Sequence, residues 1–324
     1  MKKYLLLLNF LFIASLYAAE SNKHLFLFSK NGVYGYVNYQ GKWEIKPQYE
    51  IAYQFVGKTA IVKKDKFWSL INKKGVSLLE IPAEKFDTVY PFYEGLAVVS
   101  KNNKFGFINS DGEIVIRLVY DNCFHFSGSL ACVVQDGKMG FINKKGEIAI
   151  PIEYSQIYPF FDSDIIPVRM KNNLMGFINK KGEIIVKANY DFALPFNEGF
   201  AAVVKDKKWV FINKRGDKLG DLTFDQAGNF AEGLAPVCIK GRYGFIDQQG
   251  KIKIPLQFTN AFQFSEGLAA IRKNNLWGFI NKNGILIIPC SYTTVSSFKN
   301  NIATATRNGK TLLIDKNGKT IIRN

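Results

Sequence analysis

A seven-residue phrase, GFINKKG, occurs at residues 140–146 and again, letter for letter, at residues 176–182. Aligning the chain on the first residue of this phrase gives nine anchor positions, spaced by 34 residues except for single intervals of 36 and 37: Gly35, Ser69, Gly106, Gly140, Gly176, Val210, Gly244, Gly278 and Leu312. A fixed period of this size indicates units that bury their apolar faces against their neighbours. The sequence therefore predicts a single domain, residues 20–324, of nine tandem units.

Patterns within a unit predict antiparallel β-structure. In one clear copy, a short apolar strand at Leu268–Ile271 is followed by a tight Asn-containing turn and a second strand at Trp277–Asn281. Asparagine or glycine at such turns supplies the positive φ that hairpins need. The next turn, Asn281–Gly284, has the Asn and Gly spacing of a type I turn. A third, alternating strand such as Ile252–Ile254 completes a unit that is predicted to be a three-stranded meander.

Large aromatic residues recur at two fixed distances after the anchor, which predicts packing between units. The first column lies fourteen residues after the anchor and the second lies six residues further on, with the unit that has a three-residue insertion placing its pair at Phe86 and Phe92. The columns are Tyr49, Tyr120, Tyr154, Tyr190, Phe224, Phe258 and Tyr292, and then Phe55, Phe126, Phe160, Phe196, Phe230, Phe264 and Phe298. The anchor glycine between two large residues predicts a close approach of another backbone.

The aromatic-Gly pair before F-I-N, the I-P-x-x-Y segment and the F-x-E-G-L-A link resemble the WG (also called KWG) repeats of bacterial proteins. Trp277-Gly278 has the defining pair intact, whereas Trp68-Ser69 and Trp209-Val210 keep only the tryptophan. The resemblance covers the whole chain after residue 19. It implies a β-repeat module with no common enzymatic activity and no catalytic residues or cofactor to carry over.

The strand pattern leaves two architectures open. A unit of three strands in 34 residues is shorter than a common propeller blade of about 40–45 residues. The repeat frame also shows no unit that is split between the two ends of the sequence. These observations favour an open, curved or superhelical array, with a closed propeller-like ring as the second possibility.

The first 19 residues have the pattern of a secretory signal peptide. Lys2 and Lys3 precede an apolar run of about 16 residues that ends in small residues near Ala19, which is short for a membrane span of ~20 residues. An uncleaved anchor is the alternative. Cleavage predicts a soluble exported protein, periplasmic or extracellular, whose formal charge falls from +16 to +14 because two lysines and no acid are removed.

This basic charge indicates a partner with an anionic surface, or only a lysine-rich composition. The turns after the second strands carry basic residues that would align along one rim if the units stack in register: Lys73, Lys74, Lys144, Lys145, Lys180, Lys181, Lys214, Arg215 and Lys282. We treat them as candidate contacts to an anionic polymer. The alternative is that these lysines only keep exposed turns soluble. The sequence contains no specific nucleic-acid-binding motif.

Few residues suggest chemistry. Of the two histidines, His24 lies at the predicted mature N-terminus, and His125 is expected to be exposed and without a metal or proton-transfer role. No zinc-site spacing is present. Cys123 and Cys132 could form a disulfide after export, or could be small buried apolar residues. The acids are periodic, as at Asp121 and Glu94, which predicts turn caps rather than the unrepeated carboxylate pair of a glycosidase.

These features predict an exported, non-enzymatic repeat protein without cofactors that presents an extended surface for protein–protein interaction. The alternative is a binder of acidic envelope polymer or anionic membrane through the lysine-rich rim. A glycan hydrolase on a propeller-like ring is a remote third possibility.

Overall fold

The computed structural model describes residues 24–158 and 164–323 and contains nine small antiparallel sheets in chain order. In seven of the sheets, a leading strand, usually of two residues, is followed by first, second and third strands in spatial order. Sheet 1 has β1 (Phe26–Lys30), β2 (Val33–Val37) and β3 (Trp43–Tyr49) and no leading strand. The predicted signal peptide, residues 1–19, lies outside the described residues.

The other sheets follow the same chain order. Sheets 2 to 5 consist of β4 (Ile51–Ala52), β5 (Thr59–Lys64), β6 (Phe67–Asn72) and β7 (Ser77–Pro82); β8 (Thr88–Tyr93), β9 (Leu96–Lys101), β10 (Lys104–Ile108) and β11 (Ile114–Tyr120); β12 (Asn122–Cys123), β13 (Leu130–Gln135), β14 (Lys138–Asn143) and β15 (Ile148–Tyr154); and β16 (Gln156–Ile157), β17 (Ile165–Arg169), β18 (Met175–Asn179) and β19 (Ile184–Tyr190). Sheets 6 to 9 consist of β20 (Phe192–Ala193), β21 (Phe200–Lys205) and β22 (Lys208–Asn213); β23 (Gln226–Ala227), β24 (Leu234–Ile239), β25 (Arg242–Asp247) and β26 (Ile252–Phe258); β27 (Asn260–Ala261), β28 (Leu268–Lys273), β29 (Leu276–Asn281) and β30 (Leu286–Tyr292); and β31 (Thr294–Val295), β32 (Ile302–Arg307), β33 (Lys310–Asp315) and β34 (Thr320–Arg323).

The three predicted strands of a unit are confirmed, but the three-stranded count is wrong for most sheets. The leading strands were not predicted because two residues, such as Asn260–Ala261, are too short to show a period. They join the sheet by pairing with the first strand, as Asn260 does with Arg272 and Ala261 with Ile271. Sheet 6 has a leading strand but lacks a regular third strand; only single bridges, at Trp209↔Phe224 and Ile212↔Lys218, hold that segment.

The hydrophobic core lies between sheets rather than within one central layer. Nine clusters of buried side chains are present in the described residues, one at each junction between neighbouring sheets. The second aromatic column contributes to these junctions. The ring of Phe126 packs at a tilt against Phe107 of the preceding sheet, with centroids 4.9 Å apart, and the ring of Phe298 packs edge-on against Phe279 at 4.8 Å. The prediction that the columns pack units together is confirmed for their described members; Phe160 lies outside the described residues.

The ninth cluster joins the last sheet to the first, so the chain forms a closed nine-bladed ring. Phe28 and Val37 of sheet 1 pack with Ile302 and Leu313 of sheet 9. The open array that the sequence favoured is therefore wrong, and the propeller-like ring is the architecture. The absence of a split unit led to the wrong prediction because side chains close the ring. Among the described residues, no strand pairing joins the two end sheets. We call this junction the seam.

The anchor glycine fixes the shape of the third strand. In all six sheets with glycine at the anchor, the third strand bulges opposite it; for example, Phe105 pairs with Tyr120 but Phe107 with Ile116. A Cβ on Gly278 would lie 2.5 Å from the backbone oxygen of Ile288 in the bulge. Where the anchor is Ser69 or Leu312, it pairs directly with a partner residue. The predicted close approach is confirmed, and the approaching backbone belongs to the same sheet.

Candidate functional site

The turns that carry the candidate lysines are built by their first residue, as predicted. The side-chain oxygen of Asn143 accepts hydrogen bonds from the amides of Lys145 (2.9 Å) and Glu147 (3.1 Å), and the Gly146 amide bonds to the Asn143 carbonyl at 2.9 Å. Gly146 closes the corner at a φ of 81°. The asparagine thus satisfies backbone donors that the turn would otherwise leave unpaired.

A glutamate just before the first strand reaches from one sheet to the next at this end of the ring. The carboxylate of Glu94 in sheet 3 accepts hydrogen bonds from the amides of Gly128 (2.6 Å) and Ser129 (3.0 Å) in sheet 4. The same carboxylate lies 3.1 Å from the ammonium group of Lys144. We call this arrangement an inter-sheet glutamate contact. It recurs at Glu198, Glu232 and Glu266, with Gln248 taking the place of the lysine at Glu198.

The electrostatics of Glu94 show what this contact does. Burial alone would raise the pKa of the carboxyl group, but hydrogen bonds from Lys144, Ser129 and Gly128 outweigh burial and hold the pKa below its ordinary value. The charged form is therefore the one that the neighbouring sheet stabilises. The periodic glutamates join sheets, which is the structural role that their repetition predicted.

The aspartates at the opposite turns have a similar role. Asp121 accepts a hydrogen bond from the amide of Asp136 at 2.7 Å and pairs with Lys104 at 2.7 Å. Asp225 does the same with the Lys240 amide and with the side chain of Lys208. The hydrogen bond from Lys104, with that from the amide, lowers the pKa of Asp121. The prediction that the periodic acids cap turns is confirmed for these residues.

The predicted lysine-rich rim is only partly available to a partner. Four of its residues form ion pairs: Lys144 with Glu94, Lys180 with Asp164, Arg215 with Asp217, and Lys282 with Glu232. Lys73 lines a cavity at the seam. Lys74, Lys145, Lys181 and Lys214 are exposed and form no salt bridge with the residues that the structure describes.

The two histidines occupy different environments. His24 is exposed, whereas His125 is half-buried and stacks on Tyr93 with ring centroids 4.1 Å apart. The expectation of an exposed His125 is therefore wrong. Burial lowers the pKa of His125, an effect that the nearby Glu94 opposes. Within residues 24–158 and 164–323, no group of three metal-ligating side chains comes together, and no helix is long and apolar enough to span a membrane.

The candidate disulfide cysteines lie on adjacent strands of sheet 4 as free thiols. Cys123 pairs across the strands with Val133, so its side chain shares a face with Val133 and not with Cys132. The two thiols accordingly belong to different core clusters, on opposite faces of the sheet. Burial raises the pKa of Cys132 to about 12. This placement disfavours the bridge and fits the alternative of small buried apolar residues; the pairing remains a prediction.

A family model described as "WG containing repeat" matches the chain eight times, at residues 34–66, 68–105, 105–138, 139–174, 175–209, 211–243, 243–277 and 277–310. Six of the eight matched units, such as 211–243, begin in the second strand of one sheet and end in the second strand of the next. The sequence unit therefore spans two neighbouring sheets.

One solved structure shares the fold at low sequence identity, and two others align with lower scores. A crystal structure described as a eukaryotic initiation factor is 14% identical, with a TM-score of 0.68, and the alignment covers 93% of this chain and 96% of that chain. Kluyveromyces lactis Hsv2 is 9% identical, with a TM-score of 0.40 and coverage of 81% and 95%. PorZ, a surface component of the type-IX secretion system of Porphyromonas gingivalis, is 10% identical, with a TM-score of 0.33 and coverage of 84% and 44%. No curated protein matches the chain.

Proposed function

Because this chain belongs to the WG containing repeat family, we propose that it is an exported, non-enzymatic propeller that presents its perimeter to a partner protein. The hydrogen bonds of the repeated carboxylates support the non-enzymatic part, since Glu94 and Asp121 are engaged with turn amides. The pattern of residues 1–19 supports export.

One observation carries the protein-interaction proposal. The residue two positions after the turn glycine, at or near the start of the third strand, is aliphatic and exposed in sheet after sheet. Its exposed fraction runs from 44% to 63% at Ile114, Ile148, Ile184, Ile252 and Leu286. The third strands lie at the free edge of their sheets, where backbone groups are also available for pairing. We call these five residues the aliphatic belt. Repeated exposed apolar side chains beside free strand edges suit a protein partner.

The test uses the purified protein as bait to capture partners from an extract of its own cell envelope, with and without changes in the belt. Replacing Ile148 and Ile184 by Ser should abolish retention of a discrete protein at ~500 mM salt, because apolar contacts are not screened. The matched control replaces Lys145 and Lys181 by Gln. These lysines lie in the turns just before Ile148 and Ile184, and the control variant should retain the partner. Loss of the partner only in the lysine variant would refute the belt as the interface. The mass of the N-terminal peptide of this protein, isolated from its own cells, checks export independently.

A second candidate function follows from the four exposed lysines that form no salt bridge. Lys74, Lys145, Lys181 and Lys214 lie in equivalent turns and could bind an acidic envelope polymer or an anionic membrane surface. For this function, retention on an anionic glycan column should collapse between ~50 and ~500 mM salt. Changing Lys145 and Lys181 to Gln should then weaken retention without loss of stability. Unchanged retention of that variant would exclude the rim.

A further inference from the structure

The groove between sheets 4 and 5 has a volume of about 720 Å³. Equivalent grooves between other neighbouring sheets measure about 290 to 380 Å³. Tyr154, Arg169 and Lys171 line the larger groove, together with Lys138 and Lys187. Tyr154 is half-buried, whereas the other members of the first aromatic column are buried. Sites for small ligands have volumes in this range.

A changed hairpin opens this groove. In four other units an acidic side chain accepts the amide fifteen residues later, as Asp121 does from Asp136 and Asp225 from Lys240. The equivalent residue here is Ser155, and the amide of Met170 bonds to the Leu174 carbonyl instead, at 2.9 Å. The connection between β17 and β18 is five residues long, where the other hairpins of this type have two. Thr259 and Thr293 replace the acid in two other units that keep two-residue hairpins, so the longer connection, and not the serine alone, distinguishes this groove.

The same serine removes the partner of a lysine. Lys104 pairs with Asp121 and Lys208 with Asp225, each seventeen residues further along the chain and each at 2.7 Å. Seventeen residues after Lys138 stands Ser155. Lys138 is exposed and forms no salt bridge among the residues that the structure describes. The groove thus combines a longer hairpin with a cation in its wall that lacks the acidic partner of other units.

The charge of the groove is strongly positive. Four cationic side chains line it against one carboxylate, that of Glu153, which lies 3.3 Å from Lys171. The Arg169 guanidinium donates to the Gln156 side chain and to the carbonyls of Asn173 and Asp191, and it pairs with no carboxylate among the residues that the structure describes. Lys187 also forms no salt bridge in residues 24–158 and 164–323. A concave site with uncompensated cations attracts anions.

We propose that this groove binds an acidic saccharide, whose carboxylate or phosphate pairs with Lys138 and Lys187. Besides cations, the wall offers the Ser155 hydroxyl group, the Asn172 amide and the ring of Tyr154. Hydroxyl and amide groups beside an aromatic ring suit a polyhydroxylated ligand better than an apolar one. The groove shares Ile184 with the aliphatic belt and none of the candidate lysines of the rim. The proposal does not use Ile184, so it stands whether or not the proposed function is right.

The test is isothermal calorimetry of the purified protein with trigalacturonate, glucose 6-phosphate, neutral maltotriose and a pentaglutamate peptide. We expect binding of one or both acidic sugars, weakened by salt, and none of maltotriose. The two acidic sugars distinguish a carboxylate from a phosphate as the recognised group. Binding of pentaglutamate alone would overturn the saccharide and indicate an acidic peptide. Absence of binding in all four titrations would overturn the site.

The repeat supplies the decisive variants. Ser155→Asp restores the acid of other units, so it should fold, pair with Lys138 and weaken sugar binding about tenfold or more. Lys138→Gln should weaken binding similarly. Lys104→Gln is the matched control, because that lysine is already neutralised by Asp121, and it should bind as wild type. Melting temperatures verify folding of each variant. If Ser155→Asp is folded and binds with unchanged affinity, the groove is not the site.

Discussion

Replacing Gly278 by Ala tests the most specific link between sequence and backbone in this ring. The new Cβ would lie 2.5 Å from the Ile288 oxygen, 2.8 Å from the Cys290 nitrogen and 2.9 Å from the Cys290 sulfur. Two of these atoms are backbone, so relief requires the bulge of β30 to move. Overpacking costs about 1–3 kcal/mol, and each ladder hydrogen bond lost with the bulge adds about 1 kcal/mol. We therefore expect the free energy of unfolding to fall by about 2–4 kcal/mol.

Urea denaturation followed by tryptophan fluorescence measures this change, since the adjacent Trp277 is buried against Phe262 at 4.6 Å between ring centroids. The control is Ser69→Ala, at the equivalent anchor of sheet 2. Ser69 pairs directly with Glu80, and its third strand has no bulge there, so the free energy should change by less than about 0.5 kcal/mol. The reasoning is refuted if Gly278→Ala unfolds at the wild-type urea concentration, or if both variants lose the same free energy.

Three further predictions follow from the junctions between sheets. Glu94→Gln should lower stability at neutral pH and flatten the decline of stability in acid. Because Lys144 and the turn amides depress the pKa of Glu94, the contribution of Glu94 to stability is full above the ordinary pKa of about 4.3 and is lost as pH falls through the folded pKa. Parallel acid limbs in pH-dependent melting of the two proteins would contradict this prediction. Deleting one unit, residues 243–276, should break ring closure, and calorimetry should then lose the single cooperative transition; an unchanged transition would instead support an open array. Titration of the denatured, unreduced protein with a thiol reagent should count four thiols, and in the folded protein at about pH 8 the buried Cys132 should not react; a count of two would establish a bridge such as Cys123–Cys132.

The sequence was sufficient for the parts of the fold that depend on local pattern. The spacing of the anchors predicted nine units, and Asn281–Gly284 predicted the turn after the second strand, because both signals repeat and each turn is built by its own residues. The closed ring could not be predicted, since whether nine units close depends on a small tilt at every junction. The leading strand Asn260–Ala261 was too short to be seen.

The same limit applies to the candidate site. Repetition showed that Glu94 was structural, but only the structure brings its carboxylate to Lys144, fifty residues later in the next sheet. That contact removes part of the lysine-rich rim that spacing alone had predicted. Conversely, nothing in the sequence around Ser155 marks this residue as part of a site. A comparison of each unit with its neighbours could have found it, because Asp121 and Asp225 show which acid is missing.

The offset between sequence unit and sheet has a genetic consequence. Each matched unit starts in the second strand of one sheet and runs at least past the first strand of the next. An unequal crossover between two copies therefore removes or adds a complete sheet and keeps ordinary junctions on both sides. Only the seam, between the first and the last sheet, then has to close a ring with a different number of sheets. It has four buried side chains where the other clusters have seven to eleven, and Asn300 stands there in place of a glutamate. Variation in copy number among descendants of such a gene would therefore be selected at Phe28, Val37, Ile302 and Leu313.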